Sequence, residues 1–217
     1  MPRYDQKFIA CDTETGGLPD RLKKKATIDV ALTEVAIVTI ENEFLKITDK
    51  KSWLIKPYDD QLIYEKGAEI ASGISKGLCQ KEGVDIKQAY EGMKEAFKKG
   101  KSGRNKPILI FHNKSFDTPF IENLFLLFED NLYEYIDRVE DTMQWARLKW
   151  IEKPKFTLGA TAEHYGLDHV QAHRALPDTV TTAEIWIKLM KDLRGMGQTN
   201  GSSELVKENK FRVTFKF

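Results

Sequence analysis

Phe8-Ile9-Ala10-Cys11-Asp12-Thr13-Glu14-Thr15-Gly16-Gly17 is the stretch whose reading decides the fold of this chain of 217 residues. It starts as an apolar run and ends in two carboxylates with a glycine pair behind them. Residues two apart in a strand point to one face, so Asp12 and Glu14 project together from an otherwise buried strand. Two adjacent carboxylates repel unless a cation lies between them. All-oxygen ligands suit Mg²⁺ or Mn²⁺. An acidic strand end running into a turn has the same pattern, so further ligands have to come from elsewhere in the chain.

Working outward, strand one covers 8–11. Residues 16–29 are polar, with Gly16, Gly17 and Pro19 as breakers and Lys23, Lys24 and Lys25 as a basic run. The β-branched run 34–40 predicts a second strand and 52–56, before Pro57, a third. Their short polar connections imply an antiparallel meander. Residues 60–84 are helical pieces broken by Gly67, Gly73, Gly77 and Gly83. Ile86, Ala89, Tyr90, Met93, Ala96 and Phe97 then recur at helical spacing. After a basic loop at 98–106 come a buried strand (107–112), a helix marked by Phe120, Ile121, Leu124, Phe125 and Phe128, and a last strand around 135–139 that ends near Glu140 and Asp141. Thr157 predicts the N-cap of a short helix closed by Gly166. Leu176, Val180, Ala183, Ile187 and Met190 form the stripe of a final long helix ending before Gly195. A meander followed by alternating helices and strands is an α/β domain with a mixed sheet.

Composition narrows the classes. The chain is 41% hydrophobic and 31% charged, as globular proteins are. A net charge of +1 means that a nucleic-acid partner has to be met by a local basic patch. Cys11 and Cys79 have no metal-ligand spacing and suggest no disulfide scaffold, so a reducing, cytoplasmic setting is expected. The first six residues carry no apolar signal region, and no apolar run nears the roughly 20 residues that span a bilayer.

Two more stretches carry candidate ligands. His112-Asn113-Lys114-Ser115-Phe116-Asp117-Thr118-Pro119 joins a buried strand to a helix, the place where open α/β sheets bind ligands. Pro119 suits a first turn, which makes Asp117 the expected N-cap. In Gln171-Ala172-His173-Arg174-Ala175-Leu176-Pro177-Asp178, Pro177 belongs to a first helical turn. His173 then lies on the entering loop, where it can fold back towards Asp178. His164 and His169, flanking Gly166, read as packing residues, His112 as a strand end and Asp141 as a cap.

Together these three stretches, with Asp12, Glu14, Asp117, His173 and Asp178 in that order, resemble the motifs of the DEDDh exonucleases. That family includes the proofreading subunit of bacterial replicative polymerases, ribonuclease T and oligoribonuclease. The resemblance covers about residues 7–190, with partial matches at Glu34, Gly73-Ile74, Asp141-Thr142, Ala146-Arg147 and Leu158. Ser72 departs from the histidine many relatives have there, Gly17 from a threonine, and the 17–32 loop is longer and more basic. The resemblance implies a ribonuclease H-like α/β fold with a mixed five-stranded sheet, antiparallel over its first three strands and flanked by helices. It implies an exonuclease domain over residues 1–194, followed by a flexible linker and tail over 195–217.

The implied chemistry is two-metal phosphodiester hydrolysis with two Mg²⁺ or Mn²⁺ ions. By the resemblance Asp12 bridges both ions, Glu14 and Asp178 complete one site, Asp117 supports the other, and His173 is the general base. Thr13, Thr15 and Gly16 hold the terminal 3′ nucleotide, and Leu18 and Phe116 contact the last bases. Residues 23–25 or the 98–106 loop are candidates for phosphate contact. The expected activity is 3′–5′ removal of nucleoside 5′-monophosphates from single-stranded DNA. An exoribonuclease and a non-catalytic nucleic-acid-binding module are the alternatives. Expected partners are a single-stranded 3′ end, a polymerase or replisome component in trans, and a second copy in a homodimer, with no membrane. The tail 204–217 stays open as a partner-binding strand, a dimer contact or an edge.

Overall fold

The computed structural model describes residues 5–19, 27–98, 105–169 and 173–195. The basic run 23–25 and the tail after 195 lie outside them. Five strands form one sheet: β1 (Phe8–Thr15), β2 (Leu32–Glu41), β3 (Lys46–Leu54), β4 (Ile108–Phe111) and β5 (Arg138–Asp141). Their order is β3-β2-β1-β4-β5. The pairs β1/β2 and β2/β3 are antiparallel, and β1/β4 and β4/β5 are parallel. This is the mixed five-stranded sheet, antiparallel over its first three strands, that the sequence predicts.

Both faces of the sheet are covered, which is why β1 and β4 read as continuous apolar runs. Ile9, Cys11, Val35, Ile37, Leu109 and Phe111 pack with residues of α3 (Ile86–Ala96) and α4 (Lys114–Leu126). Phe8, Ala10, Val38, Ile40, Ile108 and Ile110 face α6 (Leu158–His164) and α7 (Ala175–Leu193). Trp186 of α7 meets the Phe8 ring edge-on, with centroids 5.4 Å apart. Strand β3 closes one edge with lysines 46, 50 and 51, and such charges discourage pairing with another chain.

Several expectations need correction. Strand β1 runs through Thr15 rather than ending at Cys11, because its ladder with β2 continues as far as Thr15↔Leu32, with an irregularity after Glu14. Strand β3 starts at Lys46, six residues earlier than expected, because the Glu41↔Lys46 end of its ladder follows directly on the turn after β2. The ambiguous 60–84 region holds α1 (Lys66–Ser72) and α2 (Lys76–Glu82); α1 stops at Gly73, whose φ of 72° favours glycine. An unexpected helix, α5 (Thr142–Lys149), follows β5. Asp117 does not cap α4. The helix begins three residues earlier, after Asn113 in the left-handed region (φ 74°), a conformation asparagine tolerates. The expected caps at Thr157 and the ending before Gly195 are present: Thr157 Oγ1 accepts from the Ala160 N–H at 3.3 Å, and α7 stops at Leu193.

Candidate active site

The carboxylates meet at the C-terminal end of β1. Asp12 and Glu14 lie on the face that Phe8 and Ala10 present to α7, as their spacing in the strand requires. Helix α7 starts at Ala175, so Pro177 sits in its first turn and Asp178 follows at the sheet end. One oxygen from each of Asp12, Glu14 and Asp178 comes within 4.8 Å of the others. Asp178 Oδ1 is buried with no hydrogen-bond partner.

Asp117 approaches from the other face. Its Oδ1 accepts the Thr13 N–H at 3.0 Å and the Thr13 hydroxyl at 2.7 Å. Thr13 points towards α4 because it is odd-numbered like Cys11, so Asp117 is locked to the strand residue between Asp12 and Glu14. The structure thus brings three of the predicted ligands together and sets the fourth beside them.

Burial raises the affinity of this cluster for protons. It pushes Asp12 well above the ordinary carboxylate range, and Asp117, Glu14, Asp178 and Glu34 add repulsion. Glu14 rises to about 8, first through burial and then through repulsion from Asp178 and Glu34. Asp117 rises to about 7 through burial, against the opposing bonds from Thr13. Asp178 also rises through burial, opposed by His169 and His173.

Three groups hold the elements that carry the site. Glu34, opposite Glu14 in the β1/β2 ladder, is buried. It accepts from Arg174 Nε at 2.9 Å, from Arg174 Nη2 at 2.8 Å and from the Ala175 N–H at 3.1 Å, which ties the start of α7 to the sheet. Asp141 caps α5 by accepting the Met143 N–H and also accepts the N–H groups of Asn113 and Lys114, at 2.9, 3.0 and 3.3 Å. His112 spans Thr142 Oγ1 (2.8 Å) and the Phe156 carbonyl (2.9 Å), and burial lowers its pKa.

His173 is exposed, lies on the loop entering α7 with φ 37°, and lines a cleft of about 850 Å³ with Asp178, His169 and residues 157–160. His169 is not the bland packing residue its sequence context suggests. Its Nε2 lies 4.0 Å from Asp178 Oδ1, and nothing local in sequence signals that contact. Glu34 was detectable as a lone carboxylate inside a β-branched run, but its partner lies 140 residues away. Among the proposed substrate contacts, Thr15 Oγ1 donates to the Gly17 carbonyl, and the Gly16 N–H donates to Ala31 O. Leu18 is 64% exposed, and the Phe116 ring packs on Phe120.

The donor set fits a hard divalent cation. Three carboxylates converge, one buried oxygen lacks a partner, and mutual repulsion raises their proton affinity. A mixed sheet of this order, with its carboxylates at the end of the central strand, has the ribonuclease H-like arrangement of a nuclease. The chain belongs to the RNase_T exonuclease family, whose model matches residues 9–186, and is a DEDD-type 3′–5′ exonuclease hydrolase.

The PolC-type DNA polymerase III of Staphylococcus saprophyticus subsp. saprophyticus is 29% identical over 199 residues, which is 89% of this chain and 12% of that protein. Its counterpart in Staphylococcus aureus strain bovine RF122 is 28% identical over 202 residues, 90% of this chain and again 12% of the relative. The chain therefore spans about 12% of the length of these relatives. The zinc-bound complex of E. coli exonuclease I with single-stranded DNA has the same fold (TM-score 0.72, 19% identity, 88% of this chain and 41% of that one). So does apo exonuclease I (TM-score 0.70, 17% identity, 87% and 42%).

Proposed function

We propose that this chain removes nucleotides from the 3′ end of single-stranded DNA and releases nucleoside 5′-monophosphates. The carrying observation is the convergence of Asp12, Glu14 and Asp178 within 4.8 Å around a buried, unpartnered Asp178 oxygen. These three carboxylates hold Mg²⁺ or Mn²⁺, with Asp117 supporting a second ion, and the bound ions supply charge stabilisation at the attacking and leaving oxygens. Asp117 spends Oδ1 on Thr13 and has its second oxygen to offer. His173, at the cleft mouth, takes the proton of the attacking water at a ring nitrogen, a task suited to imidazole.

Leu18, exposed beside the cluster, and Phe116, after β4, contact the terminal bases. Thr13, Thr15 and Gly16 shape the strand end under the last nucleotide. Gly16 does so by lacking a side chain, since a Cβ there would lie 2.3 Å from Ile63 O. Similarity to PolC-type DNA polymerase III supports a polymerase partner, on the same chain or on another, in replication or repair. Among the described residues no helix is long and apolar enough to cross a membrane, in keeping with a cytoplasmic role.

The test is digestion of 3′- and 5′-labelled single- and double-stranded DNA and RNA with Mg²⁺, Mn²⁺ or EDTA. The expected result is metal-dependent shortening of single-stranded DNA from its 3′ end, lost in Asp12→Ala. Shortening of RNA alone would favour the exoribonuclease reading, and absence of any mononucleotide would favour a non-catalytic binder.

A further inference from the structure

Neither lysine-rich stretch singled out in the sequence is available to guide a strand into the cleft. Residues 23–25 lie outside the described structure, and the described ends of the 98–106 loop sit at the wrong edge of the sheet. There Lys7 Nζ donates to the Lys98 carbonyl and Lys106 Nζ to the Tyr133 carbonyl, beside the first residues of β1 and β4. The carboxylates are at the other end of β1.

A third basic stretch does lie at the carboxylate edge. Arg147-Leu148-Lys149-Trp150-Ile151-Glu152-Lys153-Pro154-Lys155 leaves the end of α5 and leads into Phe156. His112, directly after β4, binds the Phe156 carbonyl through one ring nitrogen and Thr142, the first residue of α5, through the other. Arg147 and His169 both act electrostatically on that His112. The next residues, 157–160, line the cleft with His173 and Asp178. The stretch is thus the outward continuation of one cleft wall.

Its chemistry is unlike that of an ordinary solvated face. Nine residues carry four cations and one carboxylate. Lys149 is committed to Asp192 and stacks on the Trp150 and Tyr165 rings, 4.6 and 4.5 Å from their centroids. Arg147, Lys153 and Lys155 have no carboxylate partner among the described residues. Between these cations Leu148 is 72% and Ile151 84% exposed. Trp150 is braced edge-on by His164 at 5.3 Å and Tyr165 at 4.5 Å. Unpaired cations interleaved with exposed apolar groups match a single-stranded polynucleotide, which offers phosphates to the former and base faces to the latter. An acidic protein would satisfy only the cations.

We infer that residues 147–155 are the track on which the strand lies upstream of the scissile bond. Arg147, Lys153 and Lys155 pair with its phosphates, and Leu148 and Ile151 lie against its bases. The inference rests on the nuclease reading of the cleft and adds where the remainder of the substrate runs.

The test uses Arg147→Ala/Lys153→Ala/Lys155→Ala and, separately, Ile151→Ser. Binding of fluorescent oligothymidylate and oligouridylate, each about twenty nucleotides long, is followed by anisotropy against salt in an Asp12→Ala background that consumes no strand. Hydrolysis of the nitrophenyl ester of thymidine 5′-monophosphate, which has no upstream phosphates, is measured with Asp12 intact. The triple variant should bind strands at least tenfold more weakly, with a salt slope smaller by about 2, at about 0.7 per lost phosphate contact. Ile151→Ser should weaken binding severalfold with the slope unchanged, because no phosphate contact is removed. Ester hydrolysis should stay within twofold in both. The stronger-bound of the two strands identifies the sugar the track favours. An unchanged slope and affinity in the triple variant would overturn the track, leave the nuclease reading intact and return the patch to solvent or an acidic partner. Equal loss on ester and strand would also overturn it, since the cations would then serve the site itself. Wild-type protein that cleaves neither ester nor strand would instead remove the nuclease reading.

Discussion

Removing Arg174 should damage this protein far more than neutralising the carboxylate it binds. Glu34 is only 3% exposed, and two of its three donors come from the Arg174 guanidinium. In Arg174→Ala that carboxylate keeps the Ala175 N–H alone and still faces Glu14 across the ladder. Breaking a buried pair from this side typically costs about 3–5 kcal/mol, a large share of the roughly 5–15 kcal/mol that holds a domain folded. In Glu34→Gln the amide oxygen can still accept the Ala175 N–H, and Arg174, whose side chain is 45% exposed, can turn to water. The lost charge-assisted bonds cost about 1.5–3 kcal/mol, partly offset because Glu34 no longer repels Asp12 and Glu14. The assay is urea denaturation of both single variants and the double variant in EDTA at neutral pH. Arg174→Ala should lose at least 1 kcal/mol more than Glu34→Gln, about a fivefold difference in the folding constant. Adding Glu34→Gln to Arg174→Ala should recover part of the loss, because the unpaired charge is gone. Equal costs for the two singles, or no recovery in the double, would refute the claim that desolvation of Glu34 dominates this contact.

Other outcomes follow from the same coordinates. Burial and repulsion raise Glu14 to about 8 and Asp117 to about 7, so each binds its proton more tightly in the folded state. Metal-free protein should therefore gain stability as pH falls from about 8 towards the ordinary carboxylate range near 4, where the gain is complete. A Tm in EDTA that does not rise between pH 8.5 and 5.5 would contradict this. Mg²⁺ or Mn²⁺ at a hundred times its Kd should stabilise the fold by about 2.7 kcal/mol; the shift, read by thermal melts, should be larger at pH 8 than at 5.5 and largely absent in Asp12→Ala. Asp141→Ala removes the acceptor of three backbone N–H groups and should cost about 2–3 kcal/mol on denaturation. It should also reduce exonuclease activity, since it loosens the turn that launches Asp117. Gly16→Ala would place its Cβ 2.3 Å from the Ile63 carbonyl oxygen, so it should lower Tm clearly while a Gly67→Ala control, with open space around it, does not.

The elements with strong periodicity were legible from the residues. The stripe of α3 and the apolar runs of β2 and β4 appear where their patterns fall. Pro177 marks the start of α7 because a proline in the first turn removes no helical bond. The short, mixed-charge α5 went unread because its eight residues carry no continuous stripe and its cap, Asp141, looked like the end of a strand. Asp117 was misread as a cap because Pro119 suggested a later start; contacts from Asp141, 28 residues on, settle Asn113 into its turn and begin the helix earlier.

The residues alone determined that Asp12 and Glu14 share a face, since strand geometry repeats every two residues, and that Asp178 follows a helix start. Which carboxylates touch was decided by tertiary structure. Asp178 reaches Asp12 and Glu14 because α7 docks across β1 and β2 and is tied there by Glu34. Asp117 stands apart because α4 packs on the opposite face and spends an oxygen on Thr13. His169 comes beside Asp178 through the turn after α6, not through any spacing between them. Local pattern encodes periodicity over a few residues. Contacts between groups more than a hundred residues apart depend on how whole elements pack.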